Sequence, residues 1–211
     1  MSRIIDLTLT LESGMRGVEI TPARTLSEDG WNAATLHLYS HCGTHMDAPI
    51  HFGAGKQTID QLDVSRLIGP AWVVDVRPIG PKALIGVEHM NAIADRIEPG
   101  DGLLICTGWS AYCGRQRYRD ELPRISADLA RWCVQKKVRM LGVEPPSVAD
   151  VNNIQELTAI HLTLFEGGVI VVEGLANLDA ISNEKVTFIA LPLKIGGGDG
   201  APVRALAIEE D

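Results

Sequence analysis

His41-Cys42-Gly43-Thr44-His45-Met46-Asp47-Ala48-Pro49-Ile50-His51-Phe52 places three histidines and one carboxylate within eleven residues. The four positions able to bind a metal, His41, His45, Asp47 and His51, all carry odd numbers. In an extended chain side chains alternate between faces, so these four point the same way. A helix does not achieve this: at roughly 100° per residue, Asp47 sits about 200° around the axis from His45. Gly43 and Pro49 also disfavour a helix here. The stretch reads as the end of a strand running into an irregular loop, unlike the helical H-E-x-x-H zinc pattern.

Imidazole nitrogens combined with a carboxylate suit zinc, manganese or ferrous iron. Three protein ligands leave a position for water, which such an ion can acidify to a pKa of about 7. A carboxylate has two oxygens and can bridge to a second ion roughly 3.5–4 Å away. Cys42 lies in the stretch with the opposite parity and reads as a small buried hydrophobe.

Working outward, Thr35 to His41 alternates, with Leu36 and Leu38 on one face and His37, Tyr39 and His41 on the other. His37 reads as a core or supporting residue. Ile4 to Leu11 alternates as a half-buried strand. Residues 12–34 carry Gly, Thr, Glu and Pro with little periodicity and read as a long loop, the kind that serves as a lid or binding wall. Within it, Arg16 and Arg24 are candidates to pair with a substrate carboxylate, and Trp31 to supply an aromatic contact. Ala71–Val76 and Gly102–Thr107 read as buried strands, the second led in by the turn Pro99-Gly100-Asp101. Ser126 caps a helix to about Lys137, and Met140–Val143 is a short strand.

A second informative region runs from Asn153 to Leu178. Leu157, Ile160, His161, Leu164 and Phe165 form one stripe of an amphipathic helix that Gly167-Gly168 ends. Val169–Val172 is a strand, with Glu173-Gly174 at its end. His161 on the apolar stripe is either a packed core histidine or a ligand, and Glu173 either a solvated carboxylate or a donor. The residues alone leave both open. Gly196-Gly197-Gly198-Asp199-Gly200 lacks the Lys and Ser/Thr of a phosphate loop and reads as a loop with backbone freedom near the site.

The chain of 211 residues, 45% hydrophobic and 22% charged, has the composition of one ordinary globular domain spanning 1–211. A formal net charge of −8 argues against nucleic acid or an anionic membrane as partner. No apolar run reaches the length of a membrane span. Met1 to Asp6 shows no apolar leader, and the four cysteines are scattered without a C-x-x-C pair, which suits reduced thiols in the cytoplasm.

His41-x-Gly43-Thr44-His45-x-Asp47-x-Pro49-x-His51-Phe52 resembles the signature of the cyclase family, metal-dependent hydrolases that include bacterial kynurenine formamidase and isatin hydrolase. Gly69–Asp75, Thr107-Gly108-Trp109, Gly142–Ser147, Leu191-Pro192-Leu193 and Gly198–Ala205 resemble its other landmarks, in the family's order, so the likeness covers most of the chain.

The resemblance implies an α/β architecture, the cyclase-like swivelling β/β/α fold, with a mixed sheet or partial barrel and flanking helices. It implies a divalent metal, zinc first and manganese second, with one or two ions per chain. His41, His45 and Asp47 would hold the first ion, and Asp47, His161 and Glu173 the second. His51 would serve as general base and acid. Glu144, where the family more usually has an aspartate, would orient a ligand histidine. The implied reaction is hydrolysis of a small amide by water activated at the metal, N-formyl-kynurenine giving kynurenine and formate. Formamidases of the family often carry a Trp-Pro-Gly-Asp-like run where this chain has Met15–Glu19, so opening of a cyclic amide such as isatin stands as the second reading. A non-catalytic metal-binding protein, with His51 as a fourth ligand, is the third. Family members are commonly homodimers or homotetramers.

Overall fold

The computed structural model describes residues 2–210. In chain order the elements are β1 (Arg3–Asp6), β2 (Val18–Arg24), α1 (Leu26–Asp29), β3 (Ala33–Leu38), β4 (His45–Asp47), β5 (Ile68–Asp75), β6 (Leu84–Ile85) and β7 (Gly102–Cys106). There follow α2 (Gln116–Asp120), β8 (Arg124–Ile125), α3 (Ala127–Gln135), β9 (Met140–Val143), α4 (Ile154–Glu166), β10 (Ile170–Glu173), β11 (Lys185–Pro192) and β12 (Gly200–Glu209).

Eight strands form one mixed sheet in the order β1-β12-β11-β5-β7-β9-β10-β4. β4 also pairs with β12, which closes β12, β11, β5, β7, β9, β10 and β4 into a barrel. β12 is long enough to serve two neighbours: Gly200–Pro202 pair with β4 and Leu206–Glu209 with β1. The β5-β7-β9-β10 run is parallel and the remaining pairings are antiparallel. This is an α/β architecture with a mixed sheet closed into a barrel and flanking helices, as the resemblance implies.

Strand alternation divides the buried residues into two layers. Met46, Leu104, Met140, Val172, Phe188 and Ala205 pack together inside the barrel. Leu103, Ile105, Leu141, Val143 and Val171 face the other way and pack under α3 and α4. The helix layer is built as the sequence predicts. The Ser126 hydroxyl accepts from the Leu129 amide to start α3, and the Asn153 side chain accepts from the Glu156 amide to start α4. α4 buries Ile160, His161, Leu164 and Phe165, and Gly168, at φ +74°, turns the chain into β10.

Three local expectations are corrected. Residues 12–34 are not one long loop: β2 and β3 form a hairpin, with α1 between them. Pro22 sits in β2 beside a register irregularity, and both strands are edges, which is where a strand tolerates proline. The half-buried strand expected over Ile4–Leu11 is shorter, ending at Asp6 with one further bridge from Thr8 to Leu175. The first long helix stops at Gln135 rather than Lys137, where the backbone turns to φ +56°.

Candidate metal centre and active site

β4 and β10 lie side by side, antiparallel, with Glu173 opposite His45 and Val172 opposite Met46. Met46 and Val172 point into the barrel, so His45, Asp47 and Glu173 point outward, beneath α4. α4 brings His161 down onto them from its apolar stripe. Parity thus accounts for His45 and Asp47 but not for the whole motif. The extended stretch covers only His45–Asp47; Gly43, at φ +58°, bends the chain before it, and Pro49–Phe52 form a 3₁₀ turn after it. His41 and His51 reach the site from these flanks, and their rings stack with centroids 3.9 Å apart.

The donor atoms converge. His41 Nδ1 lies 2.7 Å from Asp47 Oδ1, and His45 Nε2 lies 3.6 Å from the same oxygen. His45 Nε2 is 3.3 Å from Glu173 Oε2, and His161 Nε2 is 3.4 Å from Glu173 Oε1 and 3.5 Å from Asp47 Oδ2. Three sets of three result, His41-His45-Asp47, Asp47-His161-Glu173 and, half-buried at the rim, His41-His51-Asp199, each with donors within 4.8 Å of one another. Asp47 supplies one carboxylate oxygen toward each of the first two sets. His45, Asp47, His161 and Glu173 are buried. Two buried carboxylates side by side are costly unless cations face them, and here the facing groups are imidazoles. The set fits one or two borderline divalent cations.

Supporting contacts fix the rings. His45 Nδ1 donates to the Gly43 carbonyl at 3.0 Å, and His161 Nδ1 donates to the Leu157 carbonyl at 2.7 Å. Each leaves Nε2 aimed at the carboxylates. The Val148 amide donates to Glu173 Oε1 at 2.7 Å. Phe52 lies flat against the His161 ring, 4.3 Å between centroids, and closes that side of the cluster.

Electrostatics follow from this packing. Burial opposes charge on His41, but hydrogen bonding and attraction to Asp47, then Asp199, outweigh it and raise its pKa to about 9. His161 is likewise opposed by burial and raised to about 10 by Asp47 and Glu173. Burial pushes Asp47 upward, yet the histidines around it hold it well below the ordinary carboxylate value. His51 differs: burial lowers its pKa, and the neighbouring Asp47 does not restore it.

Residues 5–150 match the family model Cyclase, described as "Putative cyclase". The chain belongs to the cyclase family. Kynurenine formamidase of Bacillus cereus is 36% identical over 179 residues, covering 83% of this chain and 79% of that protein. The enzyme of the same name from Bacillus thuringiensis is 36% identical over 176 residues, with the same coverage. Among solved structures, isatin hydrolase A from Labrenzia aggregata, bound to benzyl benzoate, shares the fold at TM-score 0.90 and 24% identity, covering 100% of this chain and 94% of that one. An isatin hydrolase bound to the product analogue thioisatinate superposes at TM-score 0.88 and 26% identity, covering 100% and 93%.

Not every candidate of this cyclase-family chain joins the cluster. The Glu144 carboxylate accepts from the Thr107 and Gly108 amides and from the Thr107 and Ser110 hydroxyls, so it braces the turn after β7 instead of orienting a ligand histidine. His37 is exposed on the hairpin, not in the core. Arg24 pairs with Asp29 inside the hairpin, Arg16 is exposed, and Trp31 is exposed. Two residues escaped the sequence reading. Thr44 accepts the Leu9 amide and donates to the Gly174 carbonyl, tying the turn before β4 to the residue after Glu173. Asp199 Oδ2 lies 3.1 Å from His41 Nε2 and 3.5 Å from His51 Nδ1. The signals for Asp199 are its place in the Gly-rich loop and in the Gly198–Ala205 landmark.

Proposed function

We propose that the chain is a metal-dependent amide hydrolase of the arylformamidase type, converting N-formyl-kynurenine to kynurenine and formate. The observation that carries this is the pairing of a five-residue donor cluster, four of its members buried, with His51, which stacks on His41 while its own pKa is lowered. The identity to kynurenine formamidases over most of the chain supports the substrate. His41, His45 and Asp47 would hold one ion and Asp47, His161 and Glu173 a second. We take zinc as the ion this nitrogen and oxygen set favours and manganese as the second choice. When bound, the ion supplies Lewis acidity toward the carbonyl oxygen and makes water nucleophilic near neutral pH.

The protein's own part is proton management. His51 is neutral at neutral pH because burial disfavours its charged form. It takes a proton from the water that adds to the formyl carbon. As the carbon–nitrogen bond breaks, it returns that proton to the departing aryl amine, leaving formate. Phe52, against both His51 and His161, keeps that side of the centre dry and so strengthens the charges within it.

Ring opening of a cyclic amide is the second reading, favoured by the 26% identity and 0.88 TM-score to an isatin hydrolase. No helix is long and apolar enough to cross a membrane among the described residues. We place the protein in the cytoplasm, as suits four unpaired cysteines, and as a homodimer or homotetramer, which would give the exposed hairpin a partner. Turnover of the metal-reconstituted protein on N-formyl-kynurenine, a simple aryl formamide and isatin tests the assignment. Hydrolysis of both formamides is expected. Isatin opening alone would select the second reading, and full metal occupancy with no turnover of any of the three would leave a metal-binding protein.

A further inference from the structure

Each of the three cluster histidines presents one ring nitrogen to the carboxylates and has the other held by an oxygen. For His45 and His161 that oxygen is a backbone carbonyl, which only accepts, so Nδ1 keeps its hydrogen and Nε2 is the nitrogen left for an ion once its proton is displaced. His41 is turned the other way round. Its Nδ1 faces Asp47, and its Nε2 meets a side chain, Asp199 Oδ2, at 3.1 Å. The same oxygen stands 3.5 Å from His51 Nδ1, outside hydrogen-bond range here but within ion-pair distance.

The Asp199 side chain is 48% exposed, but the backbone that carries it is fixed. Its carbonyl accepts from the Ala48 amide at 2.9 Å, and the preceding Gly198 carbonyl accepts from the Ile59 amide at 2.9 Å. Gly197 donates to Asp60, and Gly200 pairs with Asp47 at the start of β12. Gly200 also makes the approach feasible: a Cβ there would lie 2.6 Å from His41 Cε1. The loop is thus pinned on both sides of Asp199, with the carboxylate over the two stacked rings.

We propose that Asp199 is a positioning residue whose one carboxylate oxygen holds His41 for the metal and His51 for proton transfer. Accepting from His41 Nε2 leaves Nδ1 as the ligand atom, the role that the two carbonyls play for His45 and His161. Accepting from His51 Nδ1 leaves Nε2 as the basic nitrogen offered to water and substrate. The proposal rests on the metal-hydrolase reading above, and it makes the Gly-rich loop part of the catalytic apparatus instead of a neutral connector.

The test uses the full chain, zinc alone as the ion, and two variants. Asp199→Ala should bind zinc about 10–100-fold more weakly in competition with a chromophoric chelator, the usual cost of removing a carboxylate behind a ligand histidine. At saturating zinc its kcat on an aryl formamide should fall by about 10-fold or more while KM holds, because His51 loses its orientation and not its place. Asp199→Asn keeps an acceptor oxygen and should recover part of the zinc affinity. Zinc affinity unchanged in Asp199→Ala overturns the proposal, as does an unchanged kcat at saturating zinc. Loss of one whole zinc equivalent would make Asp199 a ligand and also overturn it. His41→Ala measured alongside separates the two layers. If it too retains zinc, the metal reading falls; if it loses zinc while Asp199→Ala does not, only the role of Asp199 falls.

Discussion

Two antiparallel strand pairs in this molecule met opposite fates. β4 and β10 are buried at every position, flanked by β12 on one side, β9 on the other and α4 above. β2 and β3 pair only with each other, and their residues are largely exposed, Leu36 at 56% and, in the connection between them, Trp31 at 57%. Both are antiparallel pairs of short extended segments, so backbone pairing alone does not tell them apart. What separates them is the number of further elements that cover each face. A two-stranded ribbon is marginal in water, whereas a strand pair set in a closed barrel is rigid. The candidate donors His45, Asp47 and Glu173 sit on the second kind, which suits a metal centre, whose ligands need to be held within fractions of an ångström.

The largest expected effect breaks the wall at its chemistry. Asp47→Ala, His45→Ala and His41→Ala should each lose bound metal and with it all measurable turnover, since each removes one of three donors from a set. His161→Ala and Glu173→Ala should empty the other set and spare the first. Elemental analysis of the purified variants is the readout, and full occupancy in Asp47→Ala would remove the basis for the metal assignment. The same scan along the hairpin, Glu19→Ala and His37→Ala, should leave metal content unchanged.

Next in size is His51. Its replacement by alanine should keep the metal and lower kcat by about 10²–10⁴-fold, the worth of a positioned general acid–base. Metal lost in step with activity would instead make His51 a ligand.

The sequence made the donors legible and the scaffold only partly so. Histidine and carboxylate at 41, 45, 47 and 51 stand out because few other pressures place them so densely. His161 and Glu173 could not be assigned from their own surroundings, since a histidine on an apolar stripe packs as readily as it ligates; the resemblance supplied them. Asp199 was hidden by distance, 158 residues from His41, and by a Gly-rich context that suggests flexibility. Glu144 misled in the opposite way. Its family position suggested a partner for histidine, but the amides of Thr107 and Gly108 turn toward it first. The hairpin is illegible in the sequence because a largely exposed ribbon is under little pressure to alternate cleanly, and Pro22 interrupts it.

The electrostatics of the wall give a third, smaller effect. His41 and His161, raised to about 9 and about 10, are protonated at pH 7.5 in the metal-free protein. Their unfolded value is near 6.5. The stability they add is therefore fully present below about pH 6.5 and is lost as pH rises through 9 to 10. An incoming cation must displace these protons. Zinc titrations by calorimetry at pH 7.5, in buffers of different ionisation enthalpy, should therefore show proton release, and the release should shrink as pH rises toward 9. Buffer-independent heats at pH 7.5 would mean that the cluster is already neutral before the ion arrives.

The smallest effect sharpens the contrast most. Phe188→Ala empties a fully buried site inside the barrel and should cost about 3–5 kcal/mol in urea unfolding. Leu36→Ala removes a similarly apolar side chain from the hairpin, but one that is 56% exposed, and should fall within about 0.5 kcal/mol of the parent in a dilute, dissociated sample. Beyond Val18 at its start, the ribbon has little cover from its own barrel, so a larger cost at Leu36 would point to another chain. If a second copy covers them, Leu36→Ala should weaken association in sedimentation equilibrium while leaving the urea midpoint of the dissociated chain in place. A clear loss of stability at low protein concentration would show instead that the hairpin packs on its own barrel in solution, and the distinction between the two strand pairs would disappear.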